Sequence, residues 1–165
     1  WPFPEYLQVI PDDLPVIINV QGSALDEAAK RALVVVAGKE KAPTMRMLGN
    51  GGGSIHWSAA MEGAEGASAE GASAEGNIDC EKADPDPIPW GWNARFLRDA
   101  IVFLGAGPIQ LAMAKPDIQK VLRRVKGEGG TETVQETEER DCVFGPIIMV
   151  GASEDRLTVL MPIRV

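Results

Sequence analysis

The chain closes on Val159-Leu160-Met161-Pro162-Ile163-Arg164-Val165, an apolar, strand-like run interrupted by one proline. Chain ends usually fray and are rich in polar residues. This segment instead has one charged side chain, that of Arg164, and its last residue is again apolar. We therefore expect the segment to be held against the rest of the domain or to serve as a contact surface.

Length and composition place the chain among ordinary globular domains. Its 165 residues are enough for one domain with its own apolar core, and 45% of them are hydrophobic. The net charge of −8 disfavours a general affinity for nucleic acid but allows a local basic stripe. The first residue, Trp1, is not Met, as expected of a fragment, a processed product or a domain of a longer chain.

The sequence predicts a soluble, cytoplasmic protein without a membrane partner. No apolar run reaches the roughly 18 residues that a bilayer-spanning helix needs, and no basic segment precedes a short apolar one. Cys80 and Cys142 lie far apart without CxxC spacing. We expect two reduced thiols rather than a disulfide or a metal site.

Apolar periodicity predicts an α+β domain. A strand at Val16–Val20 precedes a helix with Ser23 as its N-cap, and a glycine-rich hairpin follows. A strand then ends at Lys82, and a second helix is capped by Asn93 and ended by Gly105. Three more strands complete the chain. The order is a β-α-β-β-β unit repeated twice, with two helices packed on antiparallel sheet.

Three segments fall outside this pattern. The proline-rich residues 1–15 are typical of an interdomain linker, and 16–165 then form a single domain. Residues 61–76 repeat a Gly-Ala-Ser-Ala-Glu unit and are interpreted as a flexible insertion. Residues 115–142 form a second, charged insertion, in which 118–125 have the spacing of a short amphipathic helix.

Three short motifs, in this order, resemble one protein family. They are Phe3-Pro4-Glu5-Tyr6, the helix start Trp92-Asn93-Ala94-Arg95-Phe96-Leu97, and the terminal segment quoted above. The chain resembles the third and last domain of bacterial sliding clamps, the β subunits of DNA polymerase III, over 1–58, 77–114 and 144–165. The resemblance implies a DNA-clamp (processivity-factor) fold, with sheets outside and helices lining a hole for duplex DNA.

The resemblance also implies a pocket for short clamp-binding peptides of polymerases, the clamp loader and repair proteins. The sequence departs from the family pattern at two positions. Gln8 stands where the family commonly has a basic residue, and Ala42 stands where it commonly has an aromatic residue. Without the resemblance, Phe96, Val159 and Met161 would be interpreted as core residues. The implied peptide-binding residues are Pro4, Gln8, Val9, Asn93, Phe96, Val159, Leu160, Met161, Pro162, Ile163 and Arg164.

Two further surfaces follow from the resemblance. Helix cations would touch DNA phosphates without reading sequence, which suits a ring that slides. The remaining alternative is a solvated helix face. A second surface would join other clamp domains or subunits into a ring. The implied DNA-facing residues are Lys30, Arg31, Arg95 and Arg98, and the implied ring-interface residues are Val34, Val35, Asp79 and Glu81.

Two other function classes remain in view. Carboxylates at Asp79, Glu81, Asp84 and Asp86 have a spacing that could hold a divalent cation. Prolines interrupt that segment, no histidine joins it, and no phosphate loop or nucleophile elbow is present. We therefore predict no enzyme activity, no metal and no cofactor. A stand-alone adaptor or decoy that binds clamp-binding peptides without encircling DNA is the alternative to a clamp.

Overall fold

The computed structural model describes residues 10–11, 13–36, 43–51, 53–60, 72–82, 87–115, 117–126, 132–143, 145–153 and 155–163. Two helices and ten strands follow one another within these ranges. The helices are α1 (Gly22–Val36) and α2 (Ala94–Leu104). The strands are β1 (Val16–Gln21), β2 (Thr44–Asn50), β3 (Ser54–Ala60), β4 (Ser73–Lys82), β5 (Ile88–Asn93), β6 (Pro108–Met113), β7 (Asp117–Lys126), β8 (Glu132–Cys142), β9 (Ile147–Gly151) and β10 (Leu157–Leu160).

Eight strands form one antiparallel sheet in the order β10-β9-β6-β1-β4-β3-β2-β5, and β7 and β8 pair only with each other. Two units are visible in this order, β1-α1-β2-β3-β4 and β5-α2-β6-β9-β10. The first strand of each unit pairs with the other unit, β1 with β6 and β5 with β2. The predicted α+β fold of a β-α-β-β-β unit repeated twice is confirmed, and the two units exchange their first strands.

The strand registers place the two units in correspondence residue by residue. Thr44 lies opposite Asn93 in one unit, as Pro108 lies opposite Gln21 in the other. From each of these pairs the registers continue across the next strands. They match Trp57 of β3 with Met149 of β9, and Gly76 of β4 with Thr158 of β10. In the helices, Gly22–Ala32 correspond to 94–104, and the burial pattern agrees at every position except Ala24 and Phe96. The domain is therefore an internal pair with an approximate two-fold axis.

The core lies between the two helices and one face of the sheet. Small residues on α1, such as Ala28, Ala29 and Ala32, allow the helix to pack closely against the sheet and α2. Larger side chains fill the space on β5, where Trp90 and Trp92 are buried in an edge-to-face pair with ring centroids 5.7 Å apart. Such pairs add to the stabilisation that burial of the rings already provides.

The two edges of the sheet approach each other. β5 is one edge strand, and past β10, the other edge, the backbone N–H of Ile163 donates to the carbonyl of Gly91 at 2.8 Å. The N–H of Val143 donates to the carbonyl of Pro89 at 3.0 Å. The backbone carbonyl of Pro89 faces Val143, on the side of β5 away from β2. The N–H that proline lacks would face the same side, so its absence costs no hydrogen bond between β5 and β2. The terminal segment therefore closes a curled sheet.

Several local predictions are corrected. Residues 118–125 are not helical but belong to β7, which pairs along its length with β8. In its register Lys120 lies opposite Glu139 and Lys126 lies opposite Glu132. Strand β4 begins at Ser73, inside the segment interpreted as an insertion.

The N-terminus of α1 also differs from prediction. The helix begins at Gly22, so Ser23 lies within its first turn and is not the N-cap. The N–H groups of Gly22 and Ser23 donate to the carbonyls of Gly107 and Ala106, at 2.8 and 2.9 Å. The loop that follows α2 therefore satisfies two donors that a side-chain cap would otherwise serve. Asn93 and Gly105 end α2 as predicted.

Candidate functional site

The first candidate surface lies where α2 meets β10, and we call it the α2–β10 seam. It comprises Asn93 at the end of β5, Phe96, Asp99 and Phe103 of α2, together with 157–163. Its two ends are fixed by hydrogen bonds. At one end the tail bonds to Gly91, and at the other Arg156 Nη1 donates to the carbonyl of Phe103 at 3.1 Å. The seam therefore has a defined geometry along the whole helix.

Asn93 positions the start of the helix. Its backbone is extended, with φ −74° and ψ 117°, and its side-chain Oδ1 accepts from the N–H of Arg95 at 2.9 Å. The following turn then presents Phe96 away from the core. The side chain of Asn93 is itself buried. Asn93 therefore has a structural role at the helix start in addition to its place at the seam.

Exposed apolar side chains line this seam. Phe96 is 62% exposed and Met161 is 59% exposed. The alternative that these two residues belong to the core is therefore wrong. Val159, Pro162 and Ile163 are half-buried, whereas Leu160 packs against the core. Pro4, Gln8, Val9 and Arg164, which the sequence also assigns to the peptide site, lie outside the described residues.

The corresponding surface of the first unit, the α1–β4 seam, has the opposite chemistry. The strand registers and the helix alignment match the two seams position by position. The pairs, first unit then second, are Ala24 and Phe96, Glu27 and Asp99, Arg31 and Phe103, Glu75 and Leu157, and Asn77 and Val159. Met161 follows β10 directly, and extending the register by one residue matches it with Asp79. One seam is polar and charged, and the other is apolar. Sequence periodicity alone did not single out Phe103 or Leu157.

Three of the four predicted DNA-facing cations are paired with carboxylates of α1. Asp26 accepts from Lys30 Nζ at 2.5 Å and from Arg98 Nε at 3.0 Å, and Arg31 pairs with Glu27. Asp26 and Arg98 occupy corresponding positions of the two helices, so their ion pair lies close to the two-fold axis. Arg95 is exposed and has no ion-pair partner among the described residues.

The environment of Asp26 favours its charged form. The hydrogen bond from Lys30 makes the largest contribution to lowering the pKa of the carboxyl, and the bond from Arg98 adds to it. Partial burial opposes both by raising the pKa, but the net direction is downward. This carboxylate therefore neutralises cations of both helices at neutral pH.

The predicted ring-interface residues are divided between two positions. Val34 is 83% exposed on α1, whereas Val35 is partly buried and packs against the core. Asp79 and Glu81 are exposed on β4. Only Cys80–Lys82 of that strand pair with β1, so the 73–79 part has no described strand on that side. Asp79 therefore lies on an open strand edge, and Glu81 lies inside the sheet.

The described residues offer little that resembles a catalytic or metal site. Among them, no group of three or more His, Cys, Asp or Glu side chains converges on a point that could hold a metal ion. Asp84 and Asp86 lie outside the described ranges. His56 contacts Asn77, with Nδ1 at 3.2 Å from Oδ1. Within the same ranges, neither helix is long and apolar enough to span a membrane.

The sequence matches no family model and no curated protein, but solved structures match over 99% of the chain. A beta sliding clamp of C. crescentus superposes with a TM-score of 0.69 at 20% identity. The DNA polymerase III subunit beta of Pseudomonas aeruginosa gives 0.67 at 18%. A Bartonella birtlesii sliding clamp, solved with griselimycin bound, gives 0.66 at 18%.

The chain spans about a third of the length of these clamps, 34% in each of the three cases. It therefore has the fold of one sliding-clamp domain. The sequence-based expectation of a clamp-domain fold is confirmed at this level.

Proposed function

We propose that this chain is a domain of a DNA sliding clamp, equivalent to the third domain of the clamps it resembles. In this role it helps a ring to encircle duplex DNA, and it docks clamp-binding peptides of polymerase, clamp loader and repair proteins. It acts in the cytoplasm by tethering and docking, without catalysis or cofactor. The observation that carries the proposal is the apolar α2–β10 seam on a clamp-domain fold.

The internal two-fold supports docking at this seam. The fold tolerates Ala24, Asn77 and Asp79 in the first unit, so it does not require Phe96, Val159 and Met161 at the corresponding positions. Exposed apolar side chains that the fold does not need are typical of contact surfaces. A flexible Met beside rigid prolines suits an adaptable apolar peptide site.

The helix charges support sliding rather than tight binding. The four charged residues of α1 cancel, and α2 adds Arg95 and Arg98 against Asp99. With Lys30, Arg31 and Arg98 already paired inside the domain, few cations remain to displace counterions from DNA. A domain of this kind would hold DNA mainly by enclosure.

The open edge of β4 and the exposed Val34 support a ring contact at the other side of the domain. An unpaired strand edge is a template for pairing with a neighbouring sheet. Val34, 83% exposed on α1, adds an apolar side chain to the proposed contact. Asp79 and Glu81, both exposed on β4, would then contribute the acidic part of the interface.

Peptide titration tests the docking role. A fluorescent peptide containing Gln and a Leu-Phe pair is titrated with the wild-type chain, with Met161→Ala and with Val102→Ala as control. Val102 is 76% exposed on α2 and is not one of the residues that define the seam. We expect Met161→Ala to weaken binding about fivefold to thirtyfold, because one apolar contact contributes about 1–2 kcal/mol. No binding by the wild type would refute docking by this chain.

The adaptor alternative differs from a clamp only in the enclosure of DNA. The pairing of the helix cations is equally compatible with a domain that never meets DNA. A loading assay on circular DNA, with the chain in its full-length protein, distinguishes the two. Retention on closed circles that is lost after linearisation supports the clamp, and peptide binding without such retention supports the adaptor.

A further inference from the structure

The α2–β10 seam continues beyond the residues that the resemblance assigns to a peptide site. Phe103 lies seven residues after Phe96 on the same flank of α2, and its side chain is 53% exposed. Leu157, at the start of β10, is also exposed. Both residues lie at the end of the seam where Arg156 bonds to the carbonyl of Phe103. The seam therefore has apolar side chains near both ends of α2, Phe96 near its start and Phe103 with Leu157 near its end.

The first unit again supplies an internal control. The position of Phe103 is occupied there by Arg31, and that of Leu157 by Glu75. The fold accepts charged residues at both places. The apolar side chains at this end of the seam are therefore not required for packing.

Asp99 gives the patch a charge preference. In α1 the corresponding Glu27 is paired with Arg31, one turn later. In α2 the residue one turn after Asp99 is Phe103, and no ion pair of Asp99 occurs among the described residues. An exposed carboxylate between Phe96 and Phe103 is thus available to a cation of a bound partner.

We propose that Phe103 and Leu157 form a second apolar subsite, filled by the same peptide whose anchor residue contacts Phe96. This inference rests on the proposed docking function. At 1.5 Å per residue the two phenylalanines are separated by about 10 Å along the helix. An extended peptide covers that distance in about three residues. The preferred ligand therefore has an apolar residue about three positions from its anchor, with Lys or Arg between them.

Three peptides test the second subsite by fluorescence anisotropy. The first is the short Gln- and Leu-Phe-containing peptide. The other two carry an added Lys and Leu, at the N-terminal end in one and at the C-terminal end in the other. We expect one extended peptide to bind the wild-type chain about tenfold more tightly than the short one. Because the order of the residues fixes the direction, only one of the two extensions should gain.

Variants assign the gain to particular residues. Phe103→Ala and Phe103→Arg, the latter matching the first unit, should abolish the gain, so that the extended peptides bind no more tightly than the short one. Asp99→Asn should remove the share of the affinity gain that comes from the added Lys. In the wild-type chain that share should disappear at high salt. Val102→Ala, on the same helix, should change nothing. Phe96→Ala should weaken all three peptides.

The outcomes separate the two proposals. If the short peptide binds and neither extension gains, or if the gain survives Phe103→Ala, the second subsite is wrong and docking stands. If none of the peptides binds the wild-type chain, the docking function fails and the second subsite fails with it. Circular dichroism of each variant identifies a loss of binding that is due to unfolding.

Discussion

The hydrogen bond between the terminal segment and β5 can be removed by one substitution. Ile163→Pro deletes the N–H that donates to the carbonyl of Gly91 at 2.8 Å. Gly91 is buried, so its carbonyl loses this partner without full access to water. Leaving a buried acceptor unsatisfied costs about 1–3 kcal/mol. Proline also restricts the unfolded chain, which returns about 0.4–1 kcal/mol where its geometry is compatible.

The expected net loss is about 1–2 kcal/mol in the free energy of unfolding. For a domain of this size that corresponds to a melting temperature about 2–8 °C lower. Ile163→Ala is the matched control, because it shortens the side chain but keeps the N–H. Urea unfolding followed by tryptophan fluorescence is a suitable assay, since the buried Trp90 and Trp92 flank Gly91 in β5.

The comparison of Ile163→Pro with Ile163→Ala isolates the contribution of the terminal hydrogen bond. If Ile163→Pro and Ile163→Ala unfold at the same urea concentration, the terminal hydrogen bond does not hold the sheet edges together. The peptide titration adds a second readout. Displacement of the tail should weaken docking in Ile163→Pro more than in Ile163→Ala, because the tail forms one end of the seam.

Three further predictions concern the rest of the domain. Asp26→Asn should reduce the acid sensitivity of folding. The lowered pKa of Asp26 gives stability that is present above pH 3.8 and lost as the pH falls below it. Unchanged acid unfolding would contradict this. Gly76→Ala should destabilise by about 1–3 kcal/mol in thermal unfolding, since its Cβ would lie 2.9 Å from Nε1 of the buried Trp57, and an unchanged melting temperature would show that Trp57 shifts freely. Arg95→Ala should weaken DNA association at low salt more than Lys30→Ala, because Lys30 is paired with Asp26 whereas Arg95 has no ion-pair partner among the described residues. Equal effects in an electrophoretic assay would refute this.

Local sequence signals were sufficient for most of the fold. Asn93 and Gly105 delimit α2 because capping depends on residues within one turn of the helix end. The prediction of Ser23 as N-cap is wrong because the N–H groups at the start of α1 donate to the carbonyls of Gly107 and Ala106. This is a tertiary contact that local sequence does not reveal. The β7–β8 hairpin was missed for a related reason. Its outer pairs, such as Lys120 with Glu139, join residues that lie far apart in the sequence, which helical periodicity in 118–125 does not reveal.

The site was predictable only where a motif marked it. Phe96 and Met161 were assigned through the resemblance, and the structure places both on the exposed seam. Phe103 and Leu157 belong to no motif, and their periodicity does not distinguish them from residues beside the core. They become visible when the strand registers show that Arg31 and Glu75 occupy the corresponding positions. The exchange of first strands between the units cannot be inferred from either unit alone.

The two-fold correspondence separates what folding requires from what function adds. Where the halves agree, as at Leu25 and Leu97 or Ala28 and Ala100, the shared burial reflects the common fold. Where they differ in chemistry but not in backbone, folding imposes no preference, and a partner is the simpler explanation. The differences are concentrated at the two open edges of the repeated unit, one charged and one apolar. A domain whose edges differ in this way is poorly suited to bind copies of itself edge to edge, because carboxylates of β4 would face Leu157 and Met161 of the next copy. The two edges are instead suited to two different partners, as the proposed ring contact and the proposed peptide dock both require.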